Sequence, residues 1–199
     1  MFRMEVSESV GPCWWIDLFL LDTVVRDFLS RNRTTINLWR FHRRFNTDEA
    51  GHQFSFILYT TREVSETIES FVSGHEAIAV LQQAKLLRAR VQRNDGSEIE
   101  ATCDKSWPLS LQQAWPYYIM GVSQMVLDLV DRLRTFPRPA FNGLSVKNYE
   151  DYYTNLMAEL TNVWKNWGSH AFFHHMNAIF GYERLIARPR EFSAFLGSF

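Results

Sequence analysis

The sequence predicts an α+β protein: an N-terminal helix and short antiparallel hairpins, packed with a C-terminal bundle of about three helices. Three observations carry this expectation. Two period-two apolar runs flank a short polar turn between Leu38 and Thr60. A nearly continuous apolar run precedes them at Trp14–Leu29. From Ser106 onward the apolar residues recur at three and four, the spacing of helices that bury one face.

Taken in order, Met1–Glu8 is mixed in charge and lacks the apolar centre of a signal peptide. The run Trp14–Leu29 is interrupted by Asp17, Asp22, Arg26 and Asp27, which a membrane span tolerates poorly. It is therefore expected to be a buried helix with Trp15, Leu18, Phe19, Val25 and Phe28 turned inward. In Leu38–Phe45 the alternation sets Trp39, Phe41 and Phe45 against Arg40, His42 and Arg44. In His52–Thr60 it sets Phe54, Phe56 and Leu58 against Ser55, Ile57 and Tyr59. The intervening Asn46–Gly51, with Asn, Asp and Gly, suits a hairpin loop. Asp48 and Glu49 are read as part of that turn in preference to a cation site.

Val64, Ile68, Phe71 and Val72 predict an amphipathic helix over Arg62–Ser73, closed by Gly74, and a short helix follows through Ile78 and Leu81. Leu87–Arg93, the turn Asn94–Ser97 and Glu98–Thr102 read as a second hairpin in which Arg88 and Arg90 pair with acidic residues across the ribbon. A long helix starts at Pro108–Leu109 with an inward stripe of Trp115, Tyr118, Ile119, Val122, Met125, Leu129, Val130 and Leu133, and a break or kink is expected at Pro116. Phe136–Gly143 is a linker, Val146–Trp167 a second long helix, and Ser169 the cap of a last helix running through Phe180 to Gly181. The mixed part, 1–105, and the helical part, 106–199, are expected to pack as one unit, because the linker at Pro137 lies inside the helical half.

Composition narrows function by exclusion. With 21 basic and 22 acidic residues among 199, bulk electrostatic binding of nucleic acid is not expected. Cys13 and Cys103 have no CxxC spacing, which argues against a zinc site or a disulfide framework and fits a reducing cytoplasm. The 16 Phe, 7 Trp and 7 Tyr exceed what a core of this size requires and point to an aromatic interface. No Gly-rich phosphate loop, GxSxG or paired-carboxylate motif is present.

Two clusters carry chemistry. Arg40, His42 and Arg44 form a row of donors suited to carboxylates or phosphates, or else a solvated face paired to nearby acids. His170 and His174 lie one helical turn apart, with His175 and Asn177 beside them. A metal there would want a third ligand that no Asp or Glu of that helix supplies, so a packing seam or partner surface is the expected use.

Two resemblances add to these readings. His174–Gly181 is similar to the His-rich, Asn-containing helix that ends the C-terminal domain of lanthipeptide dehydratases. The chain departs from that domain in having Ala178 where an Arg follows the Asn, and no HLRLRF-like run after the hairpin. Over most of its length, through Phe41–Phe45, Gly51–Phe56 and the terminal helix with His174, Asn177, Phe180, Gly181 and Tyr182, it resembles the methanobactin biosynthesis cassette protein C family. That resemblance implies a non-catalytic companion of an iron-dependent oxygenase, the pair converting cysteines of a ribosomally made precursor into oxazolone and thioamide groups. It implies iron in the partner subunit, no cofactor on this chain alone, and a role in holding the precursor's leader peptide. Arg40, His42, Arg44, Gln53, His170, His174 and Asn177 are then the expected partner or peptide contacts, with strand addition at an open sheet edge as one route. No nucleic acid and no membrane is expected as a partner. The alternatives are a free-standing lyase or cyclase-like enzyme using His170 and His174 with an arginine, and a small-molecule binder with an aromatic pocket.

Overall fold

The structure, a computed structural model, describes residues 2–6, 13–44, 51–91, 103–141, 143 and 145–182. Helices and one antiparallel sheet build an α+β fold of the expected class. The sheet contains β1 (Phe2–Val6), β2 (Ile36–Arg44), β3 (Gln53–Thr60) and β4 (Leu87–Val91) in the order β2-β3-β1-β4. β2 and β3 form the predicted hairpin, with Trp39 opposite Leu58, Phe41 opposite Phe56 and Arg43 opposite Phe54. Residues directly opposite share a face. Phe54, Phe56 and Trp39 are accordingly buried together, and Phe41 stacks on Phe54 at 5.8 Å.

The N-terminal strand was not expected. β1 lies between β3 and β4 and pairs antiparallel with both. Within the described residues the partner of β4 is therefore β1, and the acid that Arg90 meets is Glu5, at 3.7 Å. The expected return strand Glu98–Thr102 lies outside the described residues.

The core is organised around the segment predicted as a buried helix. It comprises α1 (Trp14–Leu20), a π-helical segment (Leu21–Val25) and α2 (Arg26–Arg31). Every residue from Trp15 to Val25 is buried, including Asp17, Asp22 and Thr23. Burial on all sides explains why the apolar pattern runs almost without a polar face. Phe19 meets Phe141, Tyr149 and Tyr153 at centroid distances of 6.0, 5.3 and 5.3 Å, and Phe28 meets Phe56 and Phe71 at 6.1 and 5.0 Å.

α3 (Arg62–Ser73) buries Val64, Ile68 and Val72, and Thr61 accepts the Val64 N–H at its start. Gly74 follows it, but with φ −92° and not in the left-handed conformation that a Schellman ending uses. α4 (Glu76–Gln83) is capped by His75, whose Nδ1 accepts the Ala77 N–H at 3.2 Å.

The C-terminal half differs from expectation in three places. α5 (Leu109–Leu133) passes through Pro116 as one helix. Proline deprives the Gln112 carbonyl of its usual donor, and the Cys103 thiol takes that place at 3.1 Å. The buried line of α5 is Gln112, Pro116, Ser123, Leu127 and Val130, while Tyr118 is 45% exposed. α5 runs beside β2, and Ser123 Oγ accepts the Phe41 N–H at 3.4 Å. A helix approaching a strand edge needs small and polar residues there, which displaces the aromatic stripe. Trp115 and Tyr118 pack beside one another, with Trp107 on Trp115.

The third difference is at Gly168. α6 (Val146–Gly168) continues without a cap through a π-helical segment (Ser169–His174) into α7 (His175–Ile179), Ser169 being itself helical at φ −61°. Gly168 is required for close packing and not for a stop: a Cβ there would lie 2.8 Å from the Trp164 ring. Gly181, at φ 85°, ends the helix as expected. The linker is tied down, with Tyr149 donating to Ala140 O, Tyr152 to Phe136 O and Arg138 to Asp22 O. Among the described residues no helix is long and apolar enough to cross a membrane.

Candidate functional site

The predicted residues fall into two groups on different elements. The register places Arg40, His42 and Arg44 of β2 beside Ile57, Ser55 and Gln53 of β3, on the sheet face opposite the core. Gln53 and Ser55 are buried, and burial lowers the pKa of Arg40, so this face is only partly open to solvent. Burial, then the Arg40 and Arg44 cations on either side, pull His42 below its ordinary value. At neutral pH it is an uncharged imidazole between two cations, able to accept as well as donate.

His170, His174 and His175 do converge. The π-helical segment brings positions i, i+4 and i+5 to one side, with ring centroids 5.2 to 5.5 Å apart and His170 parallel to His174 within 9°. All three are exposed, and His174 also meets Tyr182 at 5.6 Å. Among the described residues no three His, Cys, Asp or Glu side chains are placed to hold a metal. Asn177 works through its backbone, its carbonyl accepting the Phe180 and Tyr182 N–H groups that turn the chain. Large apolar side chains surround the cluster on the same helical end: Trp167 is 63% exposed, Phe180 73% and Ile179 84%.

A third site was not foreseen. Arg43, the cation skipped by the outer row, points to the core side of β2, where Asp17 Oδ2 lies 3.7 Å from its Nε. Asp17 is wholly buried, and His52 Nε2 lies 3.1 Å from both of its carboxylate oxygens. Among the described residues the buried His52 Nδ1 and Arg43 Nε make no hydrogen bond, Arg43 Nε having only its longer ion pair with Asp17. Burial lowers the pKa of Arg43 and the Asp17 charge opposes that shift.

This cluster sits behind a groove of about 510 Å³, within the range of ligand sites. One wall is Trp14 and Trp15; the other is Thr154, Met157, Ala158, Thr161, Asn162 and Lys165 from one face of α6. Trp14 lies against His52 at 5.2 Å, and Met157 Sδ accepts from Arg43 Nη1 at 3.8 Å. Both walls are thus fastened to side chains that meet at Asp17. The sequence signal for this arrangement was the acidic interruption of an apolar run: a carboxylate inside a buried helix requires donors from elsewhere.

No protein-family model, curated protein or solved structure matches the chain.

Proposed function

We propose that this chain is a non-catalytic, cytoplasmic companion subunit of an iron-dependent peptide-modifying oxygenase, and that it holds the leader of a ribosomally made precursor during methanobactin-type biosynthesis. The resemblance in Phe41–Phe45, Gly51–Phe56 and the terminal helix motivates this reading. The observation that supports it is the exposed aromatic end of the α6–α7 helix, where Trp164, Trp167, Phe173, Phe180 and Tyr182 are exposed on the same stretch of chain as the three histidines, Tyr182 lying against His174. Aromatic and imidazole groups so presented suit the centre of a protein interface. The outer Arg40, His42 and Arg44 row supplies donors for carboxylates of a peptide or partner.

Strand addition at β2 is disfavoured. Its Phe41 N–H is already bonded to Ser123 Oγ, and a peptide would have to displace α5. The groove beside Trp14 favours a second reading, a small-molecule binder, which predicts ligand-dependent Trp fluorescence without any protein partner.

The test is co-expression with an iron-dependent oxygenase encoded beside this chain, followed by size-exclusion chromatography and metal analysis. Co-elution as an iron-bearing complex is expected. Separate elution of a stable monomer would overturn the companion reading.

A further inference from the structure

The α6 wall of the groove repeats at three and four residues from Thr154 to Lys165. At 1.5 Å per residue it is about 16 Å long, room for about five residues of extended chain. Met157 and Ala158 of this wall line the same cavity as the two indoles. Its far end is Lys165, which makes no ion pair among the described residues. The walls are held in place from behind, since His52 backs Trp14, Arg43 reaches Met157, and both bind Asp17. Fixed walls reduce the ordering cost of binding.

We propose that this groove seats a short extended peptide segment carrying a large apolar or aromatic side chain with a carboxylate a few residues further along. The apolar side chain packs between the indoles and the Met157 thioether, and the carboxylate meets the Lys165 ammonium. Naming the precursor's leader as the source rests on the function proposed above; the recognition chemistry does not. The groove lies at the α1–α6 seam, so peptide bound there leaves the exposed aromatic end of the helix available to a protein partner.

The probe is a dye-labelled peptide, acetyl-Gly-Phe-Leu-Ser-Glu-Glu, with a control in which both Glu are Lys, titrated into the full chain by fluorescence anisotropy. Ala158→Trp fills the groove from an exposed position, and Lys165→Glu reverses its charge; circular dichroism checks that both variants fold. Saturable binding of the acidic peptide is expected, lost in Ala158→Trp and weakened about fivefold at low salt in Lys165→Glu. The Lys165→Glu variant is also expected to prefer the lysine control. Absence of saturable binding would overturn the proposal, as would binding indifferent to both substitutions, or N-acetylphenylalanine binding as tightly as the peptide. Groove-dependent peptide binding by a chain that elutes apart from the oxygenase would sink the companion reading alone. An iron-bearing complex whose peptide ignores both substitutions would sink this proposal alone.

Discussion

Asp17 and Asp22 lie on one helical run, and both are wholly buried, yet the protein surrounds them differently. Asp22 sits in the π-helical segment and receives Arg26 Nε at 2.9 Å, Arg134 Nη2 at 2.8 Å and the Tyr153 hydroxyl at 3.1 Å, while Arg138 donates to its backbone carbonyl. Those donors come from α2, the end of α5, α6 and the linker, so one residue ties four segments together, three through its carboxylate and the linker through its carbonyl. Asp17 has one histidine and one arginine, both at the β2–β3 end, and among the described residues two of their nitrogens, His52 Nδ1 and Arg43 Nε, make no hydrogen bond. The first arrangement is a staple between helices, with Arg134 Nε as its one buried nitrogen lacking a hydrogen bond among the described residues; the second leaves two such nitrogens beside a groove whose walls it holds. The same carboxylate in one buried helical run thus joins helices at one position and, at the other, meets the two side chains that back the groove walls.

The largest expected effect separates the two. Asp22→Asn removes the buried anion that Arg26 and Arg134 share, leaving them the exposed Asp131, and is expected to cost about 3 kcal/mol in urea unfolding, the low end for a broken buried pair because both guanidiniums keep some solvent and that second partner. Asp17→Asn loses a charge-assisted interaction to His52 and Arg43 and is expected to cost about 2 kcal/mol. Tyr153→Phe removes one donor to Asp22, about 1.5 kcal/mol by the same measurement. Asp22 and burial also hold the Tyr153 phenol above its ordinary value, burial contributing most, so it stays protonated where exposed tyrosines ionise.

A pH effect tests the contact between His75 and the half-buried Asp27. His75 caps α4 through Nδ1 and lies 3.4 Å from Asp27. Burial lowers its pKa, and the Asp27 charge only partly offsets this. Its folded value lies below its unfolded value, near 6.5. The contribution is therefore present above that pH and lost as pH falls through the folded value. Thermal unfolding of the wild type against His75→Asn, which keeps a capping acceptor without a proton to gain, is expected to show a smaller loss between neutral and acidic pH in the variant. The smallest effect is at the Pro116 break in the ladder. Cys103→Ala is expected to cost about 0.5 kcal/mol, because a thiol is a weak donor, and Pro116→Ala should erase that difference by restoring the N–H.

Much of the frame was legible in the sequence. The alternating runs at Leu38–Arg44 and Gln53–Thr60 pair as β2 and β3, the loop residues 45–50 lying outside the described residues, Arg62–Ser73 spaced its apolar residues as α3 does, and Val146 opens α6. β1 escaped notice because five residues at the N-terminus gain strand character only from β3 and β4, which are distant in sequence. The α5 stripe holds at Val130, which is buried, and at Leu133, which packs on the core, but Tyr118 is exposed and the β2 edge takes Ser123 instead. Gly168 and Ser169 read as stop and cap, yet the Trp164 ring needed the space at Gly168 and the helix ran on. Of the candidate site, Arg40, His42 and Arg44 share a face as their spacing required, and His170 and His174 meet as i and i+4 predicted, while His175 joins them only through the π-helical segment. The Asp17, His52 and Arg43 cluster was not legible: its members lie up to 35 residues apart and meet only through packing.

The most direct measurement pairs two readouts on Asp17→Asn and Asp22→Asn: urea unfolding and affinity for the acidic phenylalanine peptide, both taken where each variant is fully folded. Preorganisation by Asp17 predicts that Asp22→Asn loses more stability with unchanged peptide affinity, while Asp17→Asn loses less stability and weakens binding about threefold to tenfold. Equal effects of the two substitutions on affinity, or an effect confined to Asp22→Asn, would contradict the division of labour between the two carboxylates.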